Sequence, residues 1–220
     1  VYFPMGVDLE RNLLIGSPFF NNQTEVIRYI AKSLPPGYKL YVKEAPGQST
    51  RQWRSKSEYN EIISIPNVTL IHPTVKNLVM LQNCSLVITI AGTSGIEAAV
   101  YEKPSIVFAD VGYRILPSVF RVTDPETLPS LIHKALNTKV NAIDVDKYFT
   151  LYEQESFHYN FFEFEAKLMK TFFHSGNFVD TKITETQMLK YLNENQESYE
   201  LLANEYIKKI LLFNSINNVE

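Results

Sequence analysis

The stretch from Leu86 to Phe108, LVITIAGTSGIEAAVYEKPSIVF, constrains the fold of this chain more than any other. Leu86 to Ile90 is an apolar run of the kind found in buried parallel strands. It breaks into the small residues Ala91-Gly92-Thr93-Ser94-Gly95, resumes as a helical pattern from Ile96 to Tyr101, and passes Pro104 into a second apolar run. Strand, tight loop, helix and strand make a βαβ unit, which requires a parallel sheet. Its first turn points backbone amides at the start of a helix, where an anion can sit. Two glycines permit close approach to the backbone, and two hydroxyls add donors. Glu97, one turn into the helix, is placed to accept hydrogen bonds from sugar hydroxyls.

The same alternation runs through the first ~140 residues. NLLIGS at 12–17 reads as a short strand ending before Pro18, and Asn21 or Asn22 caps a helix through TEVIRYIAKSL that Pro35-Pro36-Gly37 stops. YKLYVK at 38–43 reads as a strand, Glu58 to Ile63 as a short helix, and Asn67 to Ile71 as a strand. Val75 to Gln82 reads as a helix, Ser118 to Val122 as the last strand, and Asp124 to Asn137 as a helix. The expected fold is therefore α/β: a doubly wound, Rossmann-like parallel sheet with helices on both faces, followed by a helical C-terminal extension. The expected domains are 1–143 for the sheet and 144–220 for the helices. Within the extension, Tyr148 to His174 and Glu185 to Phe213 read as helices joined by a linker at Gly176 to Thr184.

Composition narrows the function. At 220 residues the chain can bury a sizeable core, and 45% hydrophobic with 20% charged residues is ordinary for a globular protein. A net charge of −3 argues against nucleic acid as a partner. The single Cys84 excludes an internal disulfide framework and a multi-cysteine metal site. No apolar run reaches the ~20 residues of a membrane span, and there is no signal-peptide pattern, so a cytoplasmic location is expected. The opening Val1-Tyr2-Phe3-Pro4-Met5 has no initiator methionine and starts in apolar sequence, as a piece of a longer protein would.

Ligands of such sheets bind beyond the carboxyl ends of the strands, so the polar residues there are the candidates. They are Ser17, Lys43 with Pro46 two residues past Glu44, His72 and Pro73, and the loop Gly92, Thr93, Ser94, Gly95 with Glu97. Lys43 can neutralise a phosphate, and a histidine at a strand end can donate to one. Beyond Lys43, the loop with Gln48, Ser49, Thr50, Arg51 and Arg54 supplies further donors. No metal-ligand spacing, nucleophile triad or paired carboxylates present themselves, so no metal, no cofactor and no catalytic residue is assigned.

Several segments then carry a resemblance: YFP at 2–4, NQTEVIRYIAKSLPPGYKLYVKE at 22–44, NVTLIHP at 67–73, and ITIAGTSGIEAAVYEKPSIVF at 88–108 with Tyr113 following. In order and spacing the chain resembles the donor-binding half of bacterial capsule polysaccharide biosynthesis proteins. That family includes the capsule Kdo transferases and consists of GT-B-type glycosyltransferases. The resemblance implies a CMP- or UDP-linked sugar as substrate, a glycan acceptor, and an N-terminal GT-B half as companion. It also implies work at the inner face of the cell membrane, which admits peripheral association. The family usually has histidine where this chain has Ala45, and a Leu-His pair where it has Met5-Gly6. A non-catalytic domain serving assembly or glycan recognition is the alternative expectation, and a sugar-nucleotide epimerase the third.

Overall fold

The computed structural model describes residues 1–8, 10–48, 53–173 and 182–217. Ser49, Thr50 and Arg51 of the donor loop, and most of the expected 176–184 linker, lie outside the described residues. The chain divides into two compact units, Val1–Leu151 and Tyr152–Glu220.

The first unit is built on six parallel strands: β1 (Tyr2–Pro4), β2 (Leu40–Lys43), β3 (Val68–Ile71), β4 (Val87–Thr89), β5 (Ser105–Val107) and β6 (Val119–Arg121), ordered β3-β2-β1-β4-β5-β6. Every pairing is parallel, with Phe3 opposite Val42, Tyr2 opposite Val87 and Ile88 opposite Ile106. The sheet domain is thus Rossmann-like, and its strand order reverses between β1 and β4. Ligand crevices form at such a reversal, because the loops leaving the two strands diverge to opposite faces.

Alternation along the strands assigns the faces. Phe3, Val42, Ile88 and Ile106 enter one core with Val26, Ile27 and Ile30 of α2 (Gln23–Ser33) and Leu128, Ile132 and Ala135 of α6 (Leu128–Leu136). Their neighbours Tyr2 and Val87 turn the other way, onto Leu81 of α4 (Asn77–Asn83) and Ala98 of α5 (Ser94–Val100). On that face Val107 packs with Ala99 of α5, Tyr113 and Val145, the last from α7 (Ala142–Glu155). Both faces of β4 and β5 are buried, which is why these strands read as apolar runs.

Local signals set the helix ends. The Asn22 side chain accepts from the Glu25 amide at 3.2 Å to cap α2, and Leu34, held extended ahead of Pro35, ends it. A reciprocal capping box between Ser55 and Glu58 opens α3 (Lys56–Ser64).

Two expectations are corrected. The NLLIGS segment is not a strand: Arg11–Leu14 forms a one-turn helix, α1, and Ser17 starts a 3-10 turn at Pro18–Phe20. Its apolar run is too short for periodicity to separate helix from strand. The central strand β1 is instead Tyr2–Pro4, and Pro4 sits at its last position, where a missing amide costs least. The expected helices after residue 144 are also subdivided. α7 ends at Glu155 and α8 spans Phe161–Phe172, with Asn160 capping the Glu163 amide at 3.2 Å; α9 (Glu185–Glu194) is followed by α10 (Gln196–Asn217).

Within the second unit, Phe172 of α8 meets Tyr191 of α9 edge-on at 5.0 Å, and Phe164 meets Tyr199 of α10 at 5.4 Å. Aromatic edges therefore link its helices. Among the described residues no helix is long and apolar enough to cross a membrane.

Ile27, fully buried under the sheet, tests this core. Ile27→Ala is expected to cost about 2–5 kcal/mol in urea unfolding, whereas Ile63→Ala on the exposed face of α3 should stay within about 0.5 kcal/mol.

Candidate functional site

Two adjoining hollows open over the carboxyl ends of β1, β2 and β4. One, of about 270 Å³, is bounded by the loop after β1 (Met5, Gly6, Val7) and the loop after β4 (Ala91, Gly92). The other, of about 470 Å³, extends from Lys43 and Pro46 across to Pro73, Asn77 and Glu97. They share Pro4, Met5, Ala45, Thr93 and Ser94, so they form one crevice at the sheet's reversal point. Lys43, Pro46, Pro73, Gly92, Thr93, Ser94 and Glu97 of the expected site residues line it.

The turn into α5 is more closed than a free helix start. The amide of Gly95 donates to the Gly92 carbonyl, and the amides of Ile96 and Glu97 donate to the Thr93 carbonyl. Among the described residues, the amides of Thr93 and Ser94 have no acceptor. Internal packing also demands both glycines. A Cβ on Gly92 would stand 2.7 Å from the Thr89 hydroxyl, and one on Gly95 would stand 2.5 Å from the Tyr113 hydroxyl. Tyr113 donates to the Gly92 carbonyl at 2.6 Å and so staples the loop to the next element. Burial raises the Tyr113 pKa well above the phenolic value, and the phenol stays a donor.

Glu97 is held from two sides. Thr93 Oγ1 donates to its Oε1 at 2.8 Å, and Asn77 Nδ2 to its Oε2 at 2.7 Å. Asn77 in turn accepts from the Tyr2 hydroxyl at 2.6 Å. Burial, aided by the Glu97 charge, holds the Tyr2 phenol neutral. Each carboxylate oxygen keeps a lone pair, so a fixed Glu97 can still accept from a vicinal diol.

Lys43 is the unusual group. Its side chain is largely covered at the end of β2, and among the described residues its ammonium has no hydrogen-bond acceptor but is not enclosed, so it meets the solvent of the crevice. Burial lowers its pKa, only partly opposed by the nearby Glu44 charge. Glu44 is committed elsewhere. Its Oε2 accepts from Arg54 Nε at 2.8 Å and Tyr59 Oη at 3.0 Å, and its Oε1 accepts from the Ala45 amide at 2.8 Å. Burial, followed by the bond to Glu44, pushes the Tyr59 phenol up to about 12.

Arg54 also pairs with Asp8 and donates to the Gly6 carbonyl at 3.1 Å. Burial opposes its charge, but Asp8 and Glu44 outweigh that and raise its pKa. Gln23, 2% exposed at the start of α2, exchanges hydrogen bonds with Gly6 (2.8 and 2.9 Å) and reaches Asp8 at 2.8 Å. These contacts lock the loops after β1 and β2 to α2, making a rigid floor for the crevice.

The remaining expected residues lie elsewhere. His72 is exposed and borders a separate hollow of about 310 Å³ with Trp53 and Tyr59; its Nδ1 lies 2.7 Å from Thr74 Oγ1. Ser17 lines neither part of the crevice, and its buried Oγ has no partner. Gly95 serves Tyr113 packing. Ala45 lines both hollows, so the crevice wall is methyl where the sequence resemblance leads one to expect imidazole. Asn77, Tyr2, Gln23 and Asp8 were not singled out as site residues by the sequence. No cluster of three or more metal-ligating side chains occurs among the described residues.

Partial desolvation disfavours the charged form of Lys43, so Lys43→Met is expected to stabilise the unliganded protein slightly, by less than about 1 kcal/mol. The sign follows from linkage. With the folded pKa held below the ordinary lysine value, the unfolded chain binds more protons. The wild type should therefore gain on Lys43→Met as pH rises through that window, in denaturant titrations at several pH values. Gly95→Ala should cost about 1–3 kcal/mol, because Tyr113 must move.

No protein-family model matches the chain, and no curated protein matches it. Solved structures give partial superpositions. A beta-Kdo 2,7-transferase from Thermosulfurimonas dismutans aligns with 61% of this chain at 16% identity and TM-score 0.45, over 44% of its own length. HepE from Anabaena, solved with UDP and glucose, aligns with 70% at 13% identity and TM-score 0.43, over 48% of its length. The glycotransferase of kitacinnamycin aligns with 69% at 18% identity and TM-score 0.38, over 37% of its length. The chain thus spans less than half of each of these proteins.

Proposed function

We propose that the sheet domain binds the nucleotide and phosphate portion of a CMP- or UDP-activated sugar, as the donor-binding half of a GT-B-type glycosyltransferase in surface polysaccharide assembly. The observation that carries this reading is Lys43: a largely covered side chain whose ammonium opens into the crevice with no acceptor among the described residues, across from the hydroxyls of Thr93 and Ser94 and the fixed carboxylate of Glu97. The sequence resemblance to capsule polysaccharide proteins supports it independently.

On this reading the phosphate lies between Lys43 and the Thr93–Ser94 turn, whose two amides and the Ser94 hydroxyl add neutral donors. Glu97 accepts from the ribose hydroxyls. Transfer breaks the bond from the anomeric carbon to the phosphate oxygen, and the charge that develops there meets Lys43. The base and the glycan acceptor site are assigned to a companion N-terminal half, as the sequence resemblance implies. The setting is the cytoplasm, at the inner face of the membrane.

The methyl wall at Ala45 favours a second reading, a domain that binds nucleotide sugar or glycan without turning it over. The same experiment weighs both. In a thermal-shift panel of CMP, UDP, GDP and ADP with their sugar conjugates, one pyrimidine series should stabilise the protein. A ligand at ~100 times its dissociation constant adds about 2.7 kcal/mol. Lys43→Ala and Glu97→Ala should each remove most of that shift, and flat curves for every nucleotide would overturn the donor-site reading.

A further inference from the structure

Lys43 and Glu44 are adjacent at the end of β2, both are buried, and both border the same crevice. A Lys43 paired with Glu44 could not serve an incoming anion. They do not pair, because Glu44 is turned to other donors. Arg54, Tyr59 and the Ala45 amide occupy its two oxygens, and Arg54 and Glu44 are 4% and 2% exposed in their side chains. We propose that Arg54 is a positioning residue whose task is to sequester Glu44, leaving the Lys43 ammonium free to receive an anionic ligand.

Arg54 suits this role better than a lysine would. Its planar fork reaches Glu44 through Nε, Asp8 through one terminal nitrogen and the Gly6 carbonyl through the other, so one side chain ties three loop positions and holds Glu44 in a fixed direction. The charged and titratable groups that share the crevice with Lys43 are few. They are Glu44 beside it, Glu97 on α5, Lys76 ahead of α4, the neutral phenol of Tyr2, and the exposed Glu10 at the far side of the crevice. Glu97 is committed to Thr93 and Asn77, and Lys76 is exposed. Releasing Glu44 is therefore the change most able to quench Lys43.

The inference rests on the donor-site reading for its consequence but not for its electrostatics, and the two can be tested apart. Side-chain NMR of isotope-labelled lysine, with the Lys43 signal assigned by Lys43→Arg, follows the Lys43 titration without any ligand. Arg54→Met is expected to raise the Lys43 pKa towards 10.5 as Glu44 turns to it, and Arg54→Met combined with Glu44→Gln to lower it again. Inorganic pyrophosphate as probe should bind Arg54→Met about tenfold more weakly than wild type, the worth of one charge-assisted hydrogen bond, and the double variant should recover most of that loss. A merely structural role for Arg54 predicts no recovery.

Should Arg54→Met fail to fold, Glu44→Gln alone decides. It should lower the Lys43 pKa further by removing the one nearby charge that supports the ammonium. An Arg54→Met titration identical to wild type, or a Lys43 pKa unmoved in Glu44→Gln, overturns the inference. If the pKa values move as expected but pyrophosphate binds nowhere near Lys43, the positioning role stands and the donor-site reading falls.

Discussion

Everything in the sheet domain follows from burying both faces of a parallel sheet. Parallel strands need crossover helices, and the crossovers cover the sheet on either side. Phe3, Val42, Ile88 and Ile106 face one helical layer, while Tyr2, Val87 and Val107 face the other. Where the strand order reverses between β1 and β4, the loops leaving the two strands part, and the crevice is the space they leave. The site is thus a consequence of topology, furnished afterwards with side chains.

Those side chains fall into two groups with different physical work. Gln23, Asp8, Arg54, Glu44 and Tyr59 satisfy one another and bind the β1 and β2 loops to α2, so that the floor does not rearrange. Lys43 stands outside that closure with its charge unspent. A closed network beside a cation that none of its members pairs leaves that cation open to an incoming anion. The hydroxyl-rich turn at Thr93–Ser94 and the carboxylate of Glu97 complete the lining.

Much of the sheet was legible in the sequence because central parallel strands are apolar on both faces; β2, β3, β4, β5 and β6 lie inside the runs read as strands. β1 escaped, being three residues long and ending in proline, and the Leu13-Leu14-Ile15 run was taken for it. At the crevice, Lys43, Pro46, Thr93, Ser94 and Glu97 could be read from their places after strands. Asn77, Gln23 and the sequestering role of Arg54 could not: their partners lie 10 to 75 residues away, and only the tertiary fold brings them together. Gly95 shows the converse. A loop glycine suggests ligand approach, yet here its missing side chain makes room for Tyr113.

The account's central claim is that an anionic nucleotide enters the crevice over β1, β2 and β4 and is held by Lys43. The most direct test is a backbone and lysine side-chain NMR titration with UDP and CMP. The account predicts saturable shifts confined to Lys43, Asn77 and the Thr93–Glu97 turn, absent for uridine and cytidine, which lack the phosphate. Shifts centred on the His72–Trp53 hollow, or equal responses to nucleoside and nucleotide, would contradict it.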